Sequence, residues 1–363
     1  MASSEIKQIL TPSIKASIRA QLLNRLKFSA ILQLPEQEFA KLIAEVEHDP
    51  LFKKLTHWKT DEGRVVGFKK FASAQLSTSF YELNEQLKSA TENVDVELMM
   101  NKHKGIVALI KKIGQEKFEK YFLYREDPAT PEEIAKECTL SLEEVEMIQS
   151  LLLEISIHSE FLHPSQLPQT EGLHFHLIAK FEIENHGRIS YSYFSPHMAY
   201  GRYIVNHDKL SHIKTELTPE EKKQLNPLLS KMDWINARHD TVHKILHEIT
   251  SVQELYLING HIEMLMPYSQ RTLAKAIQVA PSTVTRAIFS KSIMTPWGEE
   301  KKLKSFFVSK KQVVQVWAEK FIEEKKLKNE KWTDEQMREA FIHTFNSPIS
   351  RRSINAYKKI IKK

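Results

Sequence analysis

Residues 268–290 read YSQRTLAKAIQVAPSTVTRAIFS and predict two short helices joined by a tight turn. Their apolar residues recur at helical spacing, as expected for two amphipathic helices that pack together. These residues are Leu273, Ala274 and Ile277 in the first helix and Val284 and Ile288 in the second. Pro281 follows the turn, and proline is favoured in the first turn of a helix. The stretch therefore predicts a helix-turn-helix.

The outer face of the second predicted helix carries short hydroxyl residues and an arginine. The candidate DNA-binding residues are Ser282, Thr283, Thr285 and Arg286, followed by Lys291. Hydroxyl groups bond phosphates and base edges, and arginine can bind guanine O6 and N7 through two hydrogen bonds. The pattern favours a helix that enters the major groove of DNA. A helical hairpin that binds protein would show the same pattern and is the alternative.

Residues 349–359 read ISRRSINAYKK and predict a second basic helix after the turn at residues 346–348. A helix that begins near Ser350 would bury Ile354 and Tyr357 on one side. The residues expected to contact DNA are Ser350, Arg351, Arg352, Ser353, Asn355, Tyr357 and Lys358. Because the chain holds two such units, DNA binding is better supported than by either unit alone.

The charge distribution agrees with this interpretation. The chain has 52 Lys and Arg against 46 Asp and Glu, whereas residues 301–363 alone have 17 against 7. A basic C-terminal segment on a slightly acidic remainder is typical of polyanion binding, because contacts to phosphates release counterions. A solvated lysine-rich surface is the alternative.

The composition argues against several other classes of protein. A single cysteine, Cys138, argues against a disulfide-built secreted scaffold. No apolar run approaches the roughly 18 to 20 residues of a membrane span, and residues 1–9 lack a signal-peptide core. We therefore expect a cytoplasmic protein without a membrane partner.

The sequence offers no convincing catalytic or metal site. His239, His243 and His247 lie four residues apart, a spacing that can bind zinc, but the HExxH order is absent and no cysteine is near. No glycine-rich phosphate loop or Ser/His/Asp arrangement can be assembled. We therefore expect no enzyme, no cofactor, no metal and no small-molecule substrate.

The organisation of the chain is predicted to be mainly α and multidomain, with helical bundles, the C-terminal helix-turn-helix and a small β-hairpin region in the middle. The predicted regions are N-terminal helices (1–56, including helices over 14–26 and 39–46), a linker with little regular structure (57–85), a middle region (86–205), a helical region with the helix-turn-helix (206–310) and a basic C-terminal domain (328–363). The hairpin is expected at residues 174–194, around the turn at Asn185-His186-Gly187. Pro131 and Ser141 are expected to begin helices, the second through a capping box with Glu144.

Residues 350–359, SRRSINAYKK, resemble the RpoN box of sigma-54 factors, ARRTVAKYRE, with both arginines and the tyrosine in register. Asn355, Ala356 and Lys359 depart from that pattern. Residues 282–307 resemble the family's STVSRAT…KY…TPRG…LKYFF segment, with Trp297 in place of an arginine. Trp297 could stack on DNA or pack within the domain. Residues 238–260 are similar to a further family run that begins R-x-x-T-L.

The N-terminal part also resembles the family. Residues 30–55 are similar to its regulatory region, with Asp49-Pro50-Leu51 at the position of the family's Asn-Pro-Leu. Over residues 86–205, where the family binds core polymerase, its core-binding motif is not found. The residues that the resemblance places in the activator-responsive region are Ile31, Leu32, Leu34, Asp49, Pro50 and Leu51.

The resemblance implies a transcription initiation factor that directs core RNA polymerase to minus-24/minus-12 promoters. It places the helix of Arg286 at the minus-12 element, and Arg351 and Arg352 at the minus-24 element. The implied partners are promoter DNA, core RNA polymerase and an AAA+ activator that uses ATP to open the complex. The alternative is a repurposed DNA-binding regulator that no longer binds core polymerase.

Overall fold

The computed structural model of the chain describes residues 27–57, 59–60, 63–71, 75–77, 105–106, 108–123, 129–162, 165–168, 174–185, 187–199, 201–327 and 332–360. Its helices are α1 (Glu36–His48), α2 (Pro50–His57), α3 (Gln115–Phe118), α4 (Pro131–Cys138), α5 (Leu142–Leu162), α6 (Pro196–Ala199), α7 (His207–Ile213), α8 (Pro219–Val252), α9 (Glu254–Asn259), α10 (Gln270–Ala276), α11 (Pro281–Ile288), α12 (Lys310–Leu327), α13 (Asp334–Phe345) and α14 (Arg351–Ile360). Its strands are β1 (Lys59–Thr60), β2 (Gly63–Arg64), β3 (Val66–Lys69), β4 (Gln75–Leu76), β5 (His176–Ile183), β6 (Ile189–Tyr193), β7 (Arg202–Val205), β8 (Lys291–Met294) and β9 (Glu300–Lys302). A π-helix spans Glu119–Leu123, and 3₁₀ helices span Ile262–Met264 and Leu303–Phe306.

Helices dominate the described residues, so the predicted mainly α, multidomain fold is confirmed. Side-chain caps explain the two predicted helix starts, at Pro131 and after Ser141. Thr130 caps α4 by accepting a hydrogen bond from the backbone of Glu133 at 3.2 Å. Ser141 and Glu144 form the predicted capping box, with reciprocal bonds of 2.7 and 3.2 Å. The helix predicted over residues 14–26 lies outside the described residues.

The described residues form two compact units. The first unit takes them from Met1–Ala72, Gln86–Leu162 and Ser195–Thr241, and the second from Ser73–Glu85, His163–Phe194 and Val242–Lys363. The first unit thus combines parts of four regions that the sequence suggests as separate. The boundary between Thr241 and Val242 falls inside α8.

The first unit is built around apolar residues of α1, α2, β3, β7 and α8. Phe39, Ile43 and Val46 of α1 are buried, and the helix ends at His48, as its spacing predicts. Pro50 then begins α2. Residues 57–85 are predicted to be a linker with little regular structure. This prediction is wrong for β3, which pairs antiparallel with β7. Because the partner strand lies far away in the sequence, the residues of β3 alone do not reveal the pairing.

The second unit contains a five-stranded sheet with the order β4-β6-β5-β8-β9. The predicted hairpin is confirmed: β5 and β6 are antiparallel, with Ile183 opposite Ile189. The β structure extends beyond the predicted region, because β8 pairs parallel with β5 and β9 pairs antiparallel with β8. Among the described helices, none combines the length and the apolar character that crossing a membrane requires.

Candidate nucleic-acid interface

Helices α10 and α11 form the predicted helix-turn-helix. Ser269 caps α10 by accepting a hydrogen bond from the backbone of Thr272 at 3.1 Å. Gln278 turns the chain with a positive φ of 58°, and the backbone of Val279 donates to the Ala274 carbonyl at 2.9 Å. Pro281 occupies the first turn of α11. The apolar residues predicted to face inward are buried, namely Leu273, Ala274, Ile277, Val284 and Ile288.

The outer face of α11 carries the predicted polar residues. Ser282 and Thr285 are exposed, and Thr283 and Arg286 are half-buried. The Thr285 hydroxyl donates to Gln270 Oε1 of α10 at 2.8 Å, so it joins the two helices. Gln270 therefore positions Thr285, a role that the sequence pattern does not indicate. Ser282, Thr283 and Arg286 remain as candidate contacts to DNA.

Lys291, a predicted DNA contact, lies in the sheet and not on the outer face of α11. It begins β8, opposite His176 of β5, and its side chain is only 2% exposed. Ser290, just before it, has a positive φ of 54°, so α11 does not continue to Lys291. Since an ammonium enclosed in this way cannot reach a phosphate, Lys291 is a structural residue of the sheet.

Strands β8 and β9 form a hairpin after the helix-turn-helix, closed at Thr295, whose backbone donates to the Glu299 carbonyl at 2.9 Å. Trp297 lies in this turn with its ring centroid 5.5 Å from that of Tyr256, edge to face. Its indole NH donates to Glu299 Oε2 at 3.1 Å. Of the two roles weighed for Trp297, these contacts favour packing.

The second basic helix, α14, packs against α12 and α13. Ile354 is fully buried in their shared cluster with Phe321 and Phe341, and Tyr357 packs partly buried against it. Tyr357 thus packs against the cluster and keeps part of its surface exposed, and its predicted DNA contact stays a prediction. The Ser350 hydroxyl accepts a hydrogen bond from the Ser353 backbone at 3.1 Å and caps the start of α14.

Asp334 at the start of α13 holds two residues that were predicted to contact DNA. Its carboxylate accepts from Asn355 Nδ2 at 2.8 Å and from Lys358 Nζ at 2.6 Å. These hydrogen bonds, first that from Asn355, lower the pKa of Asp334. Asn355 and Lys358 thus fasten α14 to α13, which the sequence prediction missed. Arg351 and Arg352 lie exposed in the first turn of α14.

The predicted activator-responsive residues lie in the first unit. Ile31, Leu32 and Leu51 are 8%, 1% and 2% exposed, so their side chains build the core and are not available to a partner in this conformation. Their role in the response to an activator stays a prediction. Leu34 is half-buried, and Asp49 accepts a hydrogen bond from the Leu51 backbone at 2.8 Å. Pro50 is exposed.

Arg238 fixes the segment that contains these residues. Its fully buried guanidinium donates to the carbonyls of Ile31 at 2.6 Å and Leu34 at 2.9 Å, and to Glu36 at 2.6 Å. It also lies 4.0 Å from the ring centroid of Phe39. In the sequence Arg238 is notable only as the first residue of the run similar to the family, because the partners that enclose its guanidinium lie about 200 residues earlier.

The three histidines of α8 have separate surroundings. His239 Nδ1 lies 2.9 Å from the Gly201 carbonyl, and burial lowers its pKa to about 3. His243 Nδ1 lies 3.0 Å from the Tyr191 hydroxyl, and His247 is exposed. Within the described residues, no group of three or more His, Cys, Asp or Glu is placed to hold a metal ion.

Comparison with known proteins matches residues 218–362 to the family described as "Sigma-54, DNA binding domain". An RNA polymerase sigma-54 factor of Rhizobium meliloti is 32% identical over 114 residues, which are 30% of this chain and 22% of that protein. One of Azorhizobium caulinodans is 35% identical over 100 residues, 26% and 19% respectively. The matched part thus spans about a fifth of these relatives. The crystal structure of Aquifex aeolicus sigmaN bound to promoter DNA shares 18% identity at a TM-score of 0.38, covering 78% of this chain and 97% of that one.

Proposed function

We propose that this chain, which matches the sigma-54 DNA-binding domain family over residues 218–362, is a transcription initiation factor that brings core RNA polymerase to promoter DNA. The observation that carries the proposal is the pair of helices α11 and α14. Each follows a tight turn, buries one apolar face and turns hydroxyl or arginine side chains outward. This is the arrangement with which a recognition helix contacts base edges in the major groove.

The two helices have different tasks in this proposal. Arg351 and Arg352 on α14 read the GG of a minus-24 element, because a guanidinium can bind guanine through two hydrogen bonds. Arg286 on α11, with Ser282 and Thr283, contacts a minus-12 element. An AAA+ activator then acts on the N-terminal segment, and the factor catalyses no reaction itself.

In vitro selection of duplexes bound by the full chain tests the DNA part of the proposal. Selected sequences should contain GG and GC at one fixed spacing. Arg352→Ala should lose the GG, whereas Lys359→Ala, on the last turn of the same helix, should select the same sequences as the wild type. If selection enriches no motif and DNA affinity does not depend on salt, the chain does not bind DNA in this way.

A DNA-binding regulator without polymerase binding is the second candidate. The observation that favours it is that residues 86–205, where the resemblance places core-polymerase binding, do not contain the family's core-binding motif. A pull-down of purified core RNA polymerase by the full chain separates the two functions. Retention of the polymerase supports the initiation factor, and loss of polymerase with intact DNA selection supports the regulator.

A further inference from the structure

Phe289 is an exposed aromatic residue that directly follows α11. It is 49% exposed, and its ring makes no contact with another ring or with a cation among the described residues. Trp297, which is also exposed, differs from it because its ring packs against Tyr256. A single exposed apolar residue is ordinary on a protein surface, so the meaning of Phe289 depends on the face of α11 that it extends.

Phe289 continues the outer face of α11. Its φ of −60° is helical, and its backbone NH donates to the Arg286 carbonyl at 3.3 Å, so its side chain leaves the helix in the regular direction. With about 3.6 residues in each turn, Phe289 lies about 20° around the axis from Ser282, seven residues earlier. The opposite face, with Val284 and Ile288, is buried. Ser282, Arg286 and Phe289 therefore form one row along the exposed side of the helix.

The chemistry of the major groove limits what a phenyl ring in this row can contact. The base edges present hydrogen-bond donors and acceptors there, and the apolar exception is the C5-methyl group of thymine. The ring of Phe289 has no polar atom that could bond a base edge or a phosphate. Covering a donor or an acceptor with the ring would remove it from water without a hydrogen bond, which costs free energy. A thymine methyl is thus the group in the groove that a phenyl ring contacts favourably.

We propose that Phe289 is a specificity-determining residue, whose ring selects a thymine in the minus-12 element by contact with the C5-methyl group. This role rests on the proposed entry of α11 into the major groove. Phe289 follows Arg286 by three residues, about 4.5 Å along the helix axis, which is less than two base-pair steps of about 3.4 Å. The selected thymine therefore lies within about two base pairs of the base that Arg286 contacts.

Binding of the full chain, without polymerase, to duplexes that carry the selected minus-12 element tests this role. Each thymine of the element is replaced in turn by deoxyuridine, which lacks only the C5-methyl group. At one position the replacement should weaken binding about fourfold, the effect of one methyl group that is no longer buried. That position should lie within about two base pairs of the base whose preference Arg286→Ala loses.

Variants of the chain connect the methyl group to the ring. Phe289→Ala should bind the thymine and the deoxyuridine duplexes equally well. Phe289→Leu, which keeps an apolar side chain, should retain part of the preference for the methyl group. Leu255→Ala is the matched control and should keep the fourfold preference, because Leu255 is an exposed apolar residue of α9, outside the helix-turn-helix. Since the ring is exposed, the thermal midpoints of both Phe289 variants should equal that of the wild type.

A contact with core RNA polymerase is the other use of an exposed ring beside α11. In that case Phe289→Ala would weaken the complex with the polymerase and leave the binding of the free chain to every duplex unchanged. This result would overturn the proposal. So would a lower thermal midpoint of both Phe289 variants with an unchanged preference for the methyl group, because the ring would then serve the fold.

Failure of this role can be distinguished from failure of the proposed function. If Arg286→Ala weakens binding to the minus-12 element but the wild type binds every deoxyuridine duplex as well as the thymine duplex, only the role of Phe289 is refuted. If selection with the full chain enriches no minus-12 element, the proposed function itself fails, and Phe289 has no thymine to select.

Discussion

Arg352→Ala should weaken binding to promoter-type DNA while leaving the stability of the protein almost unchanged. Arg352 is exposed on the first turn of α14, and its guanidinium has no hydrogen bond to the described residues. Truncation of such a surface side chain changes the free energy of unfolding by at most about 0.5 kcal/mol. Loss of a two-pronged contact to guanine costs about 1–3 kcal/mol, which raises Kd about 5- to 150-fold.

Fluorescence anisotropy with a GG-containing duplex and a scrambled duplex, at two salt concentrations, measures this effect. The loss should be confined to the GG duplex, and Lys359→Ala should show no such discrimination. An equal loss on both duplexes, with the slope of log K against log salt reduced by about 0.9, would identify Arg352 as a phosphate contact and refute base recognition. A lower thermal midpoint would instead mean that Arg352 holds the fold.

Three further predictions concern other parts of the protein. Arg286→Ala should weaken protection of the downstream element only, and a footprint that weakens equally at both elements would contradict this assignment. Ile354→Ala should destabilise the second unit by about 2–5 kcal/mol, measured by urea unfolding, because Ile354 is fully buried against α12 and α13. His239, neutral in the fold with a pKa of about 3, takes up a proton on unfolding. Between about pH 6.5 and pH 3 the unfolded chain binds this proton and the folded chain does not, so the free energy of unfolding of the first unit should fall by up to about 1.4 kcal/mol per pH unit, and His239→Gln should remove that component of the slope.

The helix-turn-helix could be predicted because local interactions determine it. The Ser269 cap, the turn at Gln278 and Pro281 lie within thirteen residues of one another, and each acts on its own neighbourhood. The capping box of Ser141 is local in the same way, because its partner is Glu144. In each case the sequence pattern is itself the interaction that forms the structure, so no distant partner has to be known.

The errors arise where a distant partner decides the outcome. The residues of β3 carry no clear strand pattern in sequence, yet they form a strand because β7, more than a hundred residues later, pairs with them. Lys291 is a cation next to the helix-turn-helix, as expected of a DNA contact, but in the sheet it lies opposite His176 and is buried. The sequence shows that Ile31 and Leu32 are apolar but not whether they are buried. Only the packing of the first unit shows that they are core residues.

The departure of the C-terminal basic segment from the family pattern at Asn355 has a structural explanation. Asn355 is exposed one helical turn beyond the two arginines, and its amide donates to Asp334, which also accepts a hydrogen bond from Lys358. The change at this position therefore alters how α14 is held on α13, and not which side chains α14 presents in its first turn. Because Arg351 and Arg352 are exposed, the proposed recognition of guanine is compatible with the sequence divergence around them. Asp334→Ala should therefore lower the affinity for DNA, because it removes the hydrogen bonds that hold α14 on α13. A new rigid contact between α14 and another position of α13 should restore the affinity.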